Sequence, residues 1–488
     1  METKQTPFFD RIVNSVIAKL GIMFTLVLML LIPLSWVTDL IGERRQRHER
    51  VGEEIAMKWG RQQVVNGPVM AIPVEERQNR VVLAEDGTRE QLTDIRRDWI
   101  ILLPDEASVT GSVSPEILKR GIYESVVYLA DLRVTGRFGP LDLSKLSLEN
   151  STVKWDEAKL VFGISDLKGL SAAPVLNWNN EQAALSTADQ TLSLFEQNLV
   201  ADINLENHTT TDSPFEVRLQ LRGSKSLNFL PLASQTSIQL DGNWSSPSFN
   251  GAFLPDERTV GDTAFTATWN IPGFSRKQPH QWRGEPTRLY SFKGLPLHSE
   301  AAFEQGYRGD EPVPGASSVS TDWDMVQINF LPEVNHYQKT DRVAKYGILV
   351  VLLTFASLFF TEILKKRRIH LIQYVLIGAA MVMFYSLLLA ISEHAGFDWA
   401  YGIASLATIG LIAFFVKAIT RHAQAALALA AILALSYGFI YILLQLKDFS
   451  LLVGTAGVFA MLAALMYFST RINWLHFEED QVPEPEAA

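Results

Sequence analysis

Tyr346 to Ile391 reads YGILVVLLTFASLFFTEIL, then KKRRIH, then LIQYVLIGAAMVMFYSLLLAI: two apolar runs, Tyr346–Leu364 and Leu371–Ile391, separated by the cationic tetrad Lys365-Lys366-Arg367-Arg368. Each run approaches the length of about 20 mostly apolar residues that carries a helix across a hydrocarbon core. Four more stretches of that kind lie outward from it: Leu20–Val37, Trp399–Val416, Ala423–Leu446 and Phe449–Phe468. The expectation is a six-span membrane protein, one helix near the N-terminus and five clustered between residues 346 and 468. These spans make up a quarter of the 488 residues and lift the mean hydropathy to +0.10 despite a formal net charge of −10. The chain has no cysteine, which excludes disulfides, thiolate metal sites and cysteine nucleophiles.

The first span follows Lys4, Arg11 and Lys19, yet its exit, Ile32-Pro33-Leu34-Ser35-Trp36-Val37, lacks a small-x-small cleavage site, so it reads as an uncleaved signal anchor. Lysine and arginine in short loops set the orientation. With the N-terminus (1–19) inside, that side holds Lys4, Arg11, Lys19, the 365–368 tetrad, Lys417, Arg421 and Arg471, whereas the opposite short loops hold only Lys447. Both termini are therefore expected in the cytoplasm, with residues 43–340 on the far side. Arg44, Arg45, Arg47 and Arg50 run against this rule, but they open a long domain and alternate with Glu43, Glu49, Glu53 and Glu54.

Ala426, Ala430, Ala434 and Gly438 on the fifth span, and Ala456, Ala460 and Ala464 on the sixth, form small-residue strips that let helix backbones approach. The spans carry no ionisable residue near their centres. Glu362 sits near the cytoplasmic end with Lys365 and Lys366 at ion-pair spacing, and Glu393, His394 and Asp398 fall in an outer loop expected to be wet. Pro33 is the one proline in the spans, so neither proton coupling nor broken helices mark a transporter.

In the insert, Glu43–Trp59 reads as a helical stalk ended by Gly60 and then Asn66-Gly67-Pro68. GPVMAIPV, Gly67–Val74, reads as a buried strand with Pro73 restricting its far end. Period-two alternation follows in Val127–Thr135, Phe215–Leu221 and Thr236–Leu240, so the domain is expected to be mainly antiparallel β. Helices are expected at Ser114–Lys119 and Glu181–Gln197. An internal echo, Asp131–Arg137 against Val217–Gly223, leaves two readings open: two related sandwich-like lobes, or chance resemblance between amphipathic strands.

Chemical motifs are sparse. No two of the nine histidines stand at i, i+4, and there is no G-x-S-x-G elbow, Walker loop or dinucleotide fingerprint. Pairs such as His298/Glu300 and Asp322/Asp324 could serve acid–base work, since strand residues two apart share a face. The aromatics Trp244, Phe249, Phe253, Trp269, Phe274 and Trp282 are interspersed with Gly, Pro and Ser, which makes them candidate partner contacts on loops, together with Glu393 and His394. Net acidity argues against nucleic acid. No catalytic, cofactor or metal residue is assigned.

GPVMAIPV, the stretch GNWSSPSFNGAFLP (Gly242–Pro255), TDRVAKYGILVVLLTFASLFFTEIL and LIQYVLIGAAMVMFYSLLLAISEHAGF together resemble the CreD family of bacterial inner-membrane proteins, most closely from Thr340 to Phe397. The likeness fades in the acidic tail Glu478–Ala488, which reads as disordered. The resemblance implies the inner membrane of a Gram-negative bacterium, with residues 43–340 periplasmic. It also implies control by a stress-responsive kinase and regulator pair, and association with colicin tolerance and envelope integrity, including β-lactam responses. It carries no catalytic residues with it. The expectation is a non-enzymatic, cofactor-free protein that meets the lipid bilayer and binds an envelope protein, lipid or glycan through its periplasmic domain. A transporter or channel subunit and a membrane-anchored envelope enzyme stand as alternatives; the latter would need carboxylates or histidines brought together only by folding.

Overall fold

The computed structural model describes residues 16–83, 89–187, 192–205, 212–290, 324–330, 336–365, 370–446 and 449–470. The chain divides into two units, Met1–His48 with Val334–Ala488, and Glu49–Glu333. The helices are α1 (Val16–Trp59), α2 (His336–Lys345), α3 (Gly347–Lys365), α4 (Leu371–Ala395), α5 (Phe397–Thr420), α6 (Ala423–Gln445) and α7 (Ser450–Thr470). Four of them, α1, α4, α5 and α6, are long and apolar enough to cross a membrane; α2 and α3, bent by 40° at their break, make a fifth if taken as one span. The apolar part of α7, Leu452–Ala464, is shorter. Six spans are thus not confirmed.

In the helical unit, α1 buries Leu26, Val27, Leu30, Leu34 and Val37 along one stripe. Leu30 rests on Gly378 of α4, where an added Cβ would stand 2.3 Å from the leucine Cδ1, so the glycine permits the approach. The expected small-residue strips do this work only at one end: Ala426 is buried and Ala430 half-buried, but Ala434, Gly438, Ala456, Ala460 and Ala464 are exposed, and nothing lies within 4 Å of a Cβ built on Gly438. Instead α6 packs through Leu429, Leu433, Tyr437, Ile440 and Leu444, large side chains that bury more surface per contact. Phe439 of α6 meets Gly457 of α7. The expected wet loop Ser392–Asp398 shrinks to Gly396, whose φ of +80° turns the chain between α4 and α5.

The strands of the other unit are β1 (Gln63–Leu83), β2 (Arg89–Leu102), β3 (Glu106–Arg120), β4 (Tyr123–Phe138), β5 (Ser151–Val153), β6 (Ala158–Ile164), β7 (Val175–Trp178), β8 (Glu181–Ala183), β9 (Gln197–Ile203), β10 (Ser213–Ser224), β11 (Ser226–Leu230), β12 (Gln235–Gly242), β13 (Pro247–Gly251), β14 (Glu257–Val260), β15 (Phe265–Pro272), β16 (Gln281–Gly284) and β17 (Val326–Phe330). One sheet runs β13-β17-β11-β1-β2-β16, with β5 and β6 also on β1 and β9 on β6; the other runs β14-β15-β12-β3-β4-β10-β7-β8. Inward side chains of both sheets form one core, including Ile72, Ile100, Leu132, Val217, Ile238 and Ile328. This is a β sandwich of mixed sheets, mostly antiparallel, with parallel pairs at β1/β11 and β3/β12.

The reading of GPVMAIPV as a buried strand holds. Val64, Val69 and Ala71 face a second core with Trp99, Ile101, Leu194 and Phe195, while Val65, Met70, Ile72 and Val74 face the first. Both faces are covered, so the run is continuously apolar rather than alternating. A register shift between Asn66 and Val69 moves the inward positions from odd to even numbers. The strand does not stop at Pro73 but continues to Leu83. Pro73 falls between the last β6 partner, at Ala71, and the first β5 partner, at Val74, where no ladder donor is needed.

Three further expectations are corrected. Ser114–Lys119 is strand: β12 leaves β3 after Val113, so Pro115 sits on a free edge where its missing N–H does no harm. Glu181–Gln197 holds β8 and the start of β9, and no helix among its described residues. There Leu192, Leu194 and Phe195 fill the second core, and Asn198 clamps them through the Leu192 carbonyl and the Phe195 amide. The echoing segments 131–137 and 217–223 lie in adjacent strands, β4 and β10, with Val134 opposite Val217, inside one sandwich rather than two lobes. The stalk ends at Gly60 as read, but Asn66-Gly67-Pro68 lies within β1.

Candidate functional site

The aromatic stretch is mostly architecture. Trp269 on β15 is fully buried and donates its indole N–H to the Phe253 carbonyl at 3.2 Å. Phe249 packs edge-on against Trp269 and Phe265, and Trp244 and Phe253 lie half-buried on the first core. Trp282 on β16 is half-buried against the second. Phe274, in the turn Gly273–Ser275 after β15, is fully exposed. In the helical unit Glu393 is not wet: only 12% of its side chain is exposed, with the Tyr337 hydroxyl at 3.4 Å and Arg44 at 3.9 Å. That contact gives Arg44, which ran against the charge rule, a carboxylate partner. The His48 ring lies tilted against that of Tyr337, with centroids 5.6 Å apart, and His394 is exposed.

Of the acid–base pairs, His298, Glu300 and Asp322 lie outside the described residues, and Asp324 is ion-paired with Lys277 at 2.8 Å. Lys366, Arg367 and Arg368 of the tetrad, Lys447 and the C-terminal tail also lie outside them. Glu362, near the end of α3, accepts a hydrogen bond from the Tyr374 hydroxyl at 2.9 Å. Among the described residues no three His, Asp or Glu side chains converge as metal ligands would.

Folding does assemble one cluster that no local pattern announces. Asp105 follows β2, Ser234 precedes β12, and His280 precedes β16. His280 Nδ1 lies 3.3 Å from Ser234 Oγ, and its Nε2 lies 3.2 Å from Asp105 Oδ1. An ionised carboxylate only accepts hydrogen bonds, so Nε2–H donates to Asp105 and Nδ1 is left to accept from the serine hydroxyl. The backbone sets these positions. Ser234 N–H donates to the Pro104 carbonyl at 3.0 Å, Gln235 N–H to Asp105 at 2.8 Å, and Leu103 N–H to the His280 carbonyl at 2.9 Å. Two glycines let neighbouring chain press in. A Cβ on Gly139 would lie 2.0 Å from Asp105 Oδ2, and one on Gly273 would lie 2.7 Å from Ser234 Cα.

The electrostatics favour neutral imidazole. Burial pushes His280 below its ordinary value; Asp105 opposes this, and the cations Arg276 and Lys145 reinforce it. Arg276 is held by its donation to the Leu232 carbonyl at 2.9 Å, and burial lowers its own value against the pull of Asp105. All three members of the cluster are partly exposed. They are separated by 129 and 46 positions in the chain, so no spacing rule could have found them.

Beside it, β16 is firmly anchored. Gln281 exchanges two hydrogen bonds with the Asp142 backbone, at 2.6 and 3.1 Å. Arg283 pairs with Glu76, with the Ser147 carbonyl, and with the nearly buried Asp98 at 3.3 Å.

Comparison with known proteins gives matches over nearly the whole chain. A family model described as "Inner membrane protein CreD" matches residues 15–475. The inner membrane protein CreD of Escherichia coli (strain K12) is similar, 30% identical over 460 residues, which cover 94% of each chain.

Proposed function

This chain belongs to the CreD family of inner membrane proteins, and from that premise we propose that it serves envelope integrity by engaging an envelope component through its sandwich domain. The carrying observation is that Glu49–Glu333 folds as one unit with two cores of its own, inserted between apolar helices. A domain tethered to a bilayer at both ends meets membrane-proximal partners at a raised effective concentration. In this reading both termini are cytoplasmic, six helices span the membrane, and residues 43–340 are periplasmic. The lysine and arginine asymmetry supports that orientation, and the Arg44–Glu393 contact supplies a partner to one of the cations that opposed it. A part in the envelope stress response and in colicin tolerance comes with the family resemblance. Binding, rather than a motif-borne reaction, is the role assigned. The partner contacts proposed on the sandwich are exposed Phe274 and half-buried Trp282, together with Trp244, Phe249 and Phe253 at its core; those proposed on the helical unit, taken separately, are Glu393 and His394 near the end of α4.

The test is photo-crosslinking in living cells from positions 274, 282 and 394. Recurrent capture of one envelope protein, lipid or glycan supports the reading, and the absence of any specific adduct from all three positions overturns it. Reporter fusions at residue 200 and at the C-terminus check the orientation.

A further inference from the structure

We propose that Ser234, His280 and Asp105 form a hydrolytic centre on the sandwich domain, with Ser234 as nucleophile toward O-acyl esters. This goes beyond the binding role and stands or falls separately from it. The geometry meets the two contacts that an activated serine requires: a base within reach of Oγ, and a carboxylate that orients the base. The ring nitrogens are used in the reverse of the commonest order, with Nδ1 toward serine and Nε2 toward aspartate. The chemistry depends on which nitrogen is free to accept, and Asp105 settles that.

In the reaction Ser234 Oγ forms a bond to the ester carbonyl carbon while its proton passes to His280 Nδ1. The carbon–oxygen bond to the leaving group breaks as that proton moves to the departing alkoxide, which leaves as the alcohol. Water then attacks the acyl-serine and gives one proton to Nδ1. The acyl–Oγ bond breaks, Oγ recovers the proton, and a carboxylic acid is released. No redox partner is needed.

Charge develops on the carbonyl oxygen, and the backbone amides of Ser234 and Gln235, the nearest donors, already bond to Pro104 and Asp105. Arg276 and Lys145 bear on His280 and disfavour its protonated form, but Arg276 is committed to the Leu232 carbonyl and Lys145 to Asp142 at 3.0 Å, so they supply a positive field rather than a donor fixed on that oxygen. Because the imidazole is kept neutral, it is ready to act as base at neutral pH. The substrate class follows from the surroundings. The site is open to solvent, and Phe274, next to the Gly273 amide that bonds the Ser234 carbonyl at 2.7 Å, presents a fully exposed ring on which an acyl chain can lie.

The experiment uses the full chain in detergent micelles, treated with a fluorophosphonate probe and mapped by peptide mass spectrometry. The expected result is one label per chain, at Ser234. Labelling is lost in Ser234→Ala, slowed about 100-fold in His280→Gln, and slowed about 10-fold or more in Asp105→Asn. The wild-type labelling rate rises with pH as His280 loses its proton, and His280→Gln removes that dependence. Hydrolysis of p-nitrophenyl acetate follows the same order. Unlabelled Ser234 in folded wild-type protein overturns the proposal, and so does an equal labelling rate in His280→Gln with an unchanged thermal transition. If a variant fails to fold, the wild-type mapping and its pH profile decide alone.

Discussion

The Trp59 ring, at the last residue of α1, lies against the Arg222 guanidinium of β10, with Cζ 5.0 Å from the indole centroid. The indole N–H also points to the Tyr128 carbonyl at 3.4 Å, and Gly60 next to it packs on the Arg222 carbonyl so closely that a Cβ would stand 2.4 Å away. Glu54 pairs with Arg120 one turn earlier. The end of the helix is thus joined to the sheet by side chains as well as by the chain itself.

Trp59→Ala removes a cation–π contact and a half-buried ring, and should lower the stability of the sandwich by about 1–2 kcal/mol. Trp59→Phe, which keeps a ring under Arg222, should recover about half of that. Denaturant titration of the full chain in micelles, followed by β-sheet circular dichroism, measures both.

Arg283→Ala leaves Asp98 nearly buried without its cation, and should destabilise the domain by about 3 kcal/mol. The double variant Arg283→Ala/Asp98→Ala should be less destabilised than Arg283→Ala alone, because the stranded charge is gone. A double-mutant cycle decides the point; simple additivity would show that the pair is not coupled.

Acid should weaken the sandwich in two stages. His280 is held below its ordinary value, so its neutral form contributes stability above pH about 6.5, and this is lost as the pH falls from there through the lowered value. Arg137 holds Glu106, and Arg133 holds Glu216, below the carboxylate range; their contribution is present above pH about 4.5 and fades below it. These carboxylates lie on the surface, so their stage is small. Thermal midpoints between pH 4 and 8 should show the first stage in wild type and lose it in His280→Gln.

Because the chain has no cysteine, Leu30→Cys/Gly378→Cys introduces the only two thiols. A short bifunctional thiol reagent should link α1 to α4 in membranes at high yield. Absence of that link, with both thiols reactive, would remove the contact between these helices.

Much of this architecture was legible in the residues. Apolar runs of spanning length marked the membrane helices because a bilayer demands one feature, continuous apolar sequence, that local reading detects. GPVMAIPV was recognisable as a buried strand, and Gly60 as the end of the stalk. The errors fell where local signals were ambiguous. Ser114-Pro115 looks like a helix start, but it lies on the sheet edge that β12 leaves bare. The small-residue strip of α6 looks like a packing surface, but Leu429, Leu433, Tyr437, Ile440 and Leu444 of the same helix do most of the packing.

The residues alone determined which segments are apolar enough to cross a membrane and which form a β domain, since hydropathy and its period act over neighbouring positions. Only the tertiary structure decided which strands pair, that both faces of β1 are covered, and that Asp105, Ser234 and His280 meet. Those relations join positions tens to more than a hundred residues apart, 46 and 129 in the cluster, and what brings them together is the burial of a shared core, which no short window of sequence contains.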